Sequence, residues 1–552
     1  MKGWGESDAA TLILIGLSVY IFVVMLMPFV GNTIRNGDMP GHLDAAIYLR
    51  DNIWPAPIGW DDRAFAGYPL NQFYPPLFSW TVATAGFVIP PEFAFKLLLM
   101  LATLATPLSV YYCARKFSFK PISAAVVTVS VFALLSATYA QWLGMEFYSI
   151  FRVGLAVNGI ATPLLFVYMG VAKRDLPQGK YLTPTILLTL LTLCHIIIGL
   201  CAWLFFLCLA VTLDRKYWAS AIKHILLTTL LAGFWIVPFL LKFGFTDKES
   251  GAVRFITLNG IDVLILIITA IAIVYLAMIR KDDESTPLIA FFSLLTLIFL
   301  VNMAAELPIQ LFRLYLMALV IAAFLIVRAL ATKNKWLLIV PVVIAIYVVY
   351  LNFGMIDYQG PEQFTIPDFG KVDGRIMSTL FSASIHTVNA QIARNSHNLV
   401  SQGLFQESAP NSAFYYALYR MLRNGDTERL DVLLDIFGVN WVFDEQISRI
   451  NVTEQRQVTQ FDRKDVFLFR VANHPLAESL NYTPRTVQGD WRSLSFDWLH
   501  SIDPQVWVLS DDKLPSVVGT GDENVIVEQA DRNVIRVKVN SPTAIPVLLK
   551  FS

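Results

Sequence analysis

Ten apolar stretches recur along this chain, at about 10–30, 93–113, 121–140, 154–172, 183–213, 221–242, 259–279, 287–303, 308–328 and 336–353. A helix of about 20 apolar residues spans roughly 30 Å of hydrocarbon, and inside a bilayer every backbone polar group must find its partner within the protein. Repetition of such runs therefore leaves a bundle of membrane helices as the fold. The composition agrees, with 56% of 552 residues apolar, 15% charged and a mean hydropathy of +0.56. Lys plus Arg and Asp plus Glu number 42 each, so bulk charge points to no nucleic-acid partner.

One stretch, 183–213, is too long for a single crossing, and charge placement divides it. Basic residues gather in the short loops at Arg115, Lys116 and Lys120; Lys173, Arg174 and Lys180; Arg215 and Lys216; and Arg328, Lys333 and Lys335. The positive-inside rule assigns such loops to the cytoplasm. For the loops on both sides of 183–213 to be cytoplasmic, the stretch must be a hairpin of two short helices with His195 near its outer apex. That predicts eleven spans, the N-terminus inside and the C-terminus outside. The first run is read as a retained helix, since its length is that of a full span and no small-residue cleavage pattern follows it. Cys113, Cys194, Cys201 and Cys208 lie in or beside apolar runs and read as small buried residues rather than a disulfide or metal framework.

The expected organisation is a polytopic helical module over 1–353, with a first outer loop and interfacial helices over 31–92, followed by an outer α+β domain over 354–552. In the latter, "NSAFYYALYRMLRNG" and "TERLDVLLDIFG" read as helices, and "VNWVFDE", "VFLFRVA", "QVWVLS", "NVIVEQA" and "NVIRVKVN" as strands. Asn451 and Asn481 fit the glycosylation sequon on the outer side. The chain ends in "TAIPVLLKFS", read either as a chain that continues or as a terminal strand tied into a sheet.

Directly after the first span, "GDMPGHLDAAIYLRDNIW" sets Asp38, His42 and Asp44 within seven positions. A helix starting there would put Asp44, Tyr48 and Asp51 on one face. Two readings stand: Asp38 as a helix N-cap with the later charges solvated, or an outward polar cluster with chemistry to do. The loop continues "GWDDRAFAGYPLNQFYPPLFSW", aromatic and proline-rich, which suits a structured pocket rim at the bilayer surface. Within it, Asp61, Asp62 and Arg63 read as a polar turn, with acceptor binding as a second reading.

"GDMPGHLDAA" after a first span, then "AGYPLNQFYPPLFSW", resembles the GT-C superfamily of membrane glycosyltransferases. "GFWIVPFLL", "DGRIMSTL", "LLDIFGVNWVF" and "VFLFRVANHPLAES" are similar to its subgroup of membrane 6-pyruvoyl-tetrahydropterin synthase-related, YfhO-like proteins. A soluble pterin synthase would need a zinc site built from several histidines, whereas the seven here are scattered, so the pterin label implies no chemistry.

The resemblance implies transfer of a sugar from a polyprenyl-phosphate donor to a glycan, lipid or protein acceptor on the outer face of the cytoplasmic membrane. By position Asp38 matches the family's first-loop acid and would be the general base. His42 and Asp44 would orient the acceptor or, chiefly His42, join Asp38 around a divalent cation such as Mg or Mn. The departing phosphate needs cations, for which Arg313, Arg152 and Lys242 stand at outer ends of spans. Arg313 has the alternative of snorkelling or pairing with Glu306. Glu146 is placed for a second acid, and His195 is either a packing residue or a wall of the same cavity. Two other classes stay open: a transporter or flippase for lipid-linked sugars, and a non-catalytic assembly factor of envelope glycans.

Overall fold

The computed structural model describes residues 5–31, 33–34, 36–137, 143–246, 260–280, 282–305, 311–352, 366–380, 385–404, 409, 412–424, 430–447, 451–461, 464–490, 494, 497–498, 506–509, 524–530, 535–541 and 544–550. They fall into two units. One comprises Met1–Met39, Gln72–Gly244 and Lys248–Gly360, and the other Pro40–Asn71, Phe245–Asp247 and Pro361–Ser552.

The first unit is helical. Seven of its described helices are long and apolar enough to cross a membrane: Glu6–Gly31, Pro91–Lys116, Ala156–Gln178, Arg215–Leu241, Gly260–Met278, Asp283–Ala304 and Leu311–Lys333. Four further apolar helices, Pro121–Ser136, Leu182–Cys194, Ile196–Ala210 and Lys335–Leu351, are shorter. Burial sorts the long ones. Ala156–Gln178 and Leu311–Lys333 have 78% and 72% of their apolar windows buried, whereas Glu6–Gly31 and Gly260–Met278 have 22% each. The buried pair form the interior of the unit, and the exposed apolar faces of the others suit contact with lipid. All four cysteines are free and buried.

The long stretch 183–213 breaks at His195. The His195 N–H closes the first helix on Leu191 O at 3.1 Å, its backbone is extended (φ −152°, ψ 127°), and its Nδ1 accepts from Ile198 N–H at 3.3 Å. A histidine here caps the second helix, satisfying a donor that the helix itself cannot. The second helix then turns back on the first: a Cβ at Gly199 would lie 3.2 Å from Thr192 Cα, and Trp203 Nε1 donates to Thr192 Oγ1 at 3.0 Å.

The second unit is built on a five-stranded sheet. A hairpin of β1 (Gly59–Asp61) and β2 (Tyr68–Leu70) stands apart from β3 (Arg375–Ser378), β4 (Leu399–Val400), β5 (Val439–Asp444), β6 (Glu454–Phe461) and β7 (Lys464–Arg470), which run in the order β4-β3-β5-β7-β6. β4, β3 and β5 are parallel, and β7 and β6 continue antiparallel. β5, "VNWVFD", is buried along five of its six residues, as a central strand covered on both faces requires. The helix Ile385–Ser396 connects β3 to β4, and Ser412–Asn424 and Leu430–Ile436 connect β4 to β5. The expected strands over 439–445, 466–472, 505–510, 524–530 and 533–540 are present as β5, β7, Trp507–Leu509, Asn524–Ala530 and Ile535–Asn540. The parallel β3/β4 pair, four and two residues long, gives an α/β core that local patterning does not signal.

The division differs from the expected one in residues 40–71. Val400 N–H donates to Arg63 O at 2.7 Å, and Ala64 bridges Val400 in parallel, so the first loop adds a short rung to the free edge of β4. An edge strand presents unpaired backbone groups, and this rung covers them.

Candidate active site

In the helical unit the turn at 36–39 is pinned to the segment ending at Gly154. Asp38 N–H donates to Val153 O at 3.0 Å and Asn36 Nδ2 to Phe151 O at 3.0 Å. The approach is close enough to demand glycine on both sides. Gly37 has φ +48° and a Cβ there would lie 1.7 Å from Val153 O; Gly154 has φ +96° and its Cβ would lie 2.2 Å from Asp38 N. Two positive-φ glycines thus set half-buried Asp38 against the π-helical turn Ser149–Val153, which carries Arg152.

The same connection holds Glu146. Its side chain is 2% exposed; Oε1 accepts from Leu143 N–H at 3.0 Å, and Oε2 has no hydrogen-bond partner among the described residues. Burial pushes its carboxyl up to about 7, against backbone and Ser149 hydrogen bonds that favour the ionised form. Two residues earlier, a Cβ at Gly144 would lie 2.2 Å from Asn158 Nδ2 and 3.8 Å from Arg313 Nη1. Arg313 reaches this loop from the N-terminal end of the helix Leu314–Lys333, in the buried interior span. The loop 143–154 thus carries Glu146 and Arg152, meets the turn of Asp38 through its backbone at Val153, and approaches Arg313 at Gly144.

The other expected residues lie elsewhere. Lys242 stands exposed at the end of the helix Trp218–Leu241. His195 is the buried cap described above, and Glu306 lies outside the described residues. His42 and Asp44 belong to the second unit, on the helix Met39–Tyr48, at 2% and 9% exposure.

Asp44 meets Arg63 with both oxygens, Oδ1 with Nη1 at 3.0 Å and Oδ2 with Nη2 at 2.9 Å. Arg63 also donates from Nε to Asp61 Oδ1 at 3.1 Å and from Nη2 to Asp61 Oδ2 at 2.8 Å, and its guanidinium lies 4.1 Å over the Tyr48 ring. Burial works against that charge, but the two carboxylates outweigh it and hold Arg63 protonated well above the ordinary arginine range. Asp44 and Tyr48 share a face as expected, and Asp51 does not. The helix widens into a π-turn over Leu49–Ile53, which shifts the register, and Asp51 pairs with Arg50 at 2.6 Å. The sequence reading treats "DDR" as a polar turn and does not find the partnership with Asp44, 19 residues away.

Among the described residues no group of three His, Cys, Asp or Glu side chains is placed to hold a metal ion.

No protein-family model matches the chain, and no curated protein does. Solved structures do. The arabinofuranosyltransferase AftD from mycobacteria is similar over 88% of this chain with TM-score 0.53 and 15% identity. The chain spans 43% of the length of that protein. The oligosaccharyltransferase of Archaeoglobus fulgidus, solved with zinc and sulfate, is similar over 80% of this chain and 68% of its own, with TM-score 0.50 and 13% identity. Both are GT-C glycosyltransferases. At these identities the likeness is one of fold: a multi-pass GT-C-like helical unit with a strand-containing C-terminal region.

Proposed function

We propose that the chain is a membrane glycosyltransferase that moves a sugar from a polyprenyl-phosphate donor to a hydroxyl of an acceptor on the outer face of the cytoplasmic membrane. The observation that supports this reading is the loop 143–154, which bears Glu146 and Arg152, is bonded at Val153 to the turn of Asp38 and approaches Arg313 at Gly144. The GT-C likeness of the fold supports it. Eleven spans, with the N-terminus inside and the second unit outside, go with this reading, as does membership of the YfhO-like subgroup.

In this mechanism Asp38 accepts the acceptor proton as the acceptor oxygen forms its bond to the anomeric carbon. The bond from that carbon to the phosphate oxygen breaks, and its electron pair leaves with the lipid phosphate. Arg313 and Arg152 stabilise the charge that develops there, with the N-terminus of Leu314–Lys333 adding its field. Glu146, neutral below about pH 7, lies on the same loop without adding a negative charge next to the phosphate.

Transfer of radiolabelled sugar from a panel of polyprenyl-phosphate donors, by purified full-length protein in lipid, tests the proposal. Wild type should transfer, while Asp38→Asn, with unchanged melting behaviour, should lose at least ~100-fold, the range of a lost general base. Equal rates for both proteins remove Asp38 from the chemistry. Binding of lipid-linked sugar with no transfer from any donor makes the chain a carrier or assembly factor instead.

A further inference from the structure

The second unit holds a recess that the proposed reaction does not use. It lies at the carboxyl end of β4, between the helix Ile385–Ser396 and the first-loop segment, and is lined by Asp44, Asp61, Arg63, Tyr68, Asn389 and Gln402. Its volume is about 20 Å³.

The chemistry of the lining narrows the ligand. Nε, Nη1 and Nη2 of Arg63 are all engaged by Asp44 and Asp61, which leaves little of the guanidinium to hold an anion. Each carboxylate turns both of its oxygens to that guanidinium, which leaves them poorly placed to ligate a free cation. What remains is acceptor capacity. Gln402 is 2% exposed, its Nε2 donates to Tyr415 O at 3.4 Å, and its Oε1 has no hydrogen-bond partner among the described residues. A buried amide oxygen left without a donor costs free energy, which a ligand hydroxyl would relieve. A volume of this size admits one or two hydroxyl groups rather than a ring, with Ala390, Ala393 and Leu404 as an apolar wall for carbon.

We infer that this recess is a binding subsite for the hydroxyl edge of an uncharged saccharide, holding a glycan acceptor on the second unit. The inference rests on the glycosyltransferase reading for its substrate class. It is tested without any donor or chemistry. Purified full-length protein in nanodiscs is titrated with neutral gluco-, manno- and arabino-oligosaccharides, and with a uronate oligosaccharide as the charged control, by calorimetry and saturation-transfer NMR.

At least one neutral oligosaccharide should bind and the uronate more weakly. Gln402→Leu should weaken binding tenfold or more. Ala393→Leu, which fills the recess and removes no polar group, should do the same with the melting temperature retained. Absence of binding to every neutral probe, binding unchanged by both recess variants, or preference for the uronate overturns the inference. If wild type transfers sugar while the recess variants bind normally, the subsite is wrong and the function stands. If recess-dependent binding occurs without transfer from any donor, the subsite stands and the enzymatic reading fails.

Discussion

Glu146 is a carboxyl that the fold keeps neutral at the edge of physiological pH. Its ordinary value is 4.5 and burial raises it to about 7, so the folded protein holds a proton that the unfolded chain has already lost between those values. The sign follows: neutral Glu146 favours the fold fully below 4.5, and that contribution fades as pH rises through about 7. Function has a parallel consequence. On the proposed reading, an ionised Glu146 above about pH 7 repels a donor phosphate near Arg313 and Arg152, so the KM for donor should rise with pH in wild type. In Glu146→Gln that rise should be absent, and steady-state kinetics from pH 6 to 8.5 would show it. An identical rise in both proteins would separate Glu146 from the donor.

Arg63 makes a second prediction at the same scale. Replacing it by Met leaves Asp44 and Asp61, at 9% and 2% exposure, facing each other without their shared cation. Breaking a buried ion pair in this way costs about 3–5 kcal/mol. The thermal midpoint of the second unit should fall accordingly, and Asp44→Asn together with Asp61→Asn should recover part of it. At this scale residue type and position name Asp38, Arg152 and Arg313 as candidates, and their roles belong to the proposed reading. The neutral state of Glu146 and the company of Arg63 are not legible in this way, because they depend on burial and on contacts across 19 residues of intervening chain.

At the scale of elements, legibility follows length. Apolar runs near 20 residues are visible as helices, and the split of 183–213 is visible from the basic loops on either side. His195 then supplies the cap that makes the break local. Strands of six or seven residues with continuous or alternating apolar character, such as β5 and β7, are also legible. β3 and β4 are too short to show a period, and the helix Ile385–Ser396 between them is marked by no apolar run. The parallel α/β core, and with it the recess at the end of β4, emerges only when these pieces are paired. The π-turn at Leu49–Ile53 is similar: one extra residue in a turn moves Asp51 off the face of Asp44 and Tyr48 without any mark in the sequence.

For the whole molecule, the finding with most reach is that residues 40–71 belong with 361–552. No composition shift announces it, since the link is a backbone bond between Val400 and Arg63 and a ring contact of Phe65 with Tyr415, beside a guanidinium that Asp44 and Asp61 hold within the first loop. The physical logic is that β4, two residues long, would otherwise be a bare edge, and a buried helix bearing His42 and Asp44 would otherwise lack its partner surface. A soluble protein made from 361–552 alone should therefore be less stable than one in which 40–71 is joined to it by a flexible linker. The joined form should melt at higher temperature, and its Val400 amide should exchange with solvent more slowly, since only there does Arg63 O accept from it. Removing Arg63 from the joined form should return both values towards those of 361–552 alone. Equal melting and equal exchange in the two proteins would mean that the first loop rests on the sheet without supporting it, and the stability of the second unit would then lie wholly in its own strands.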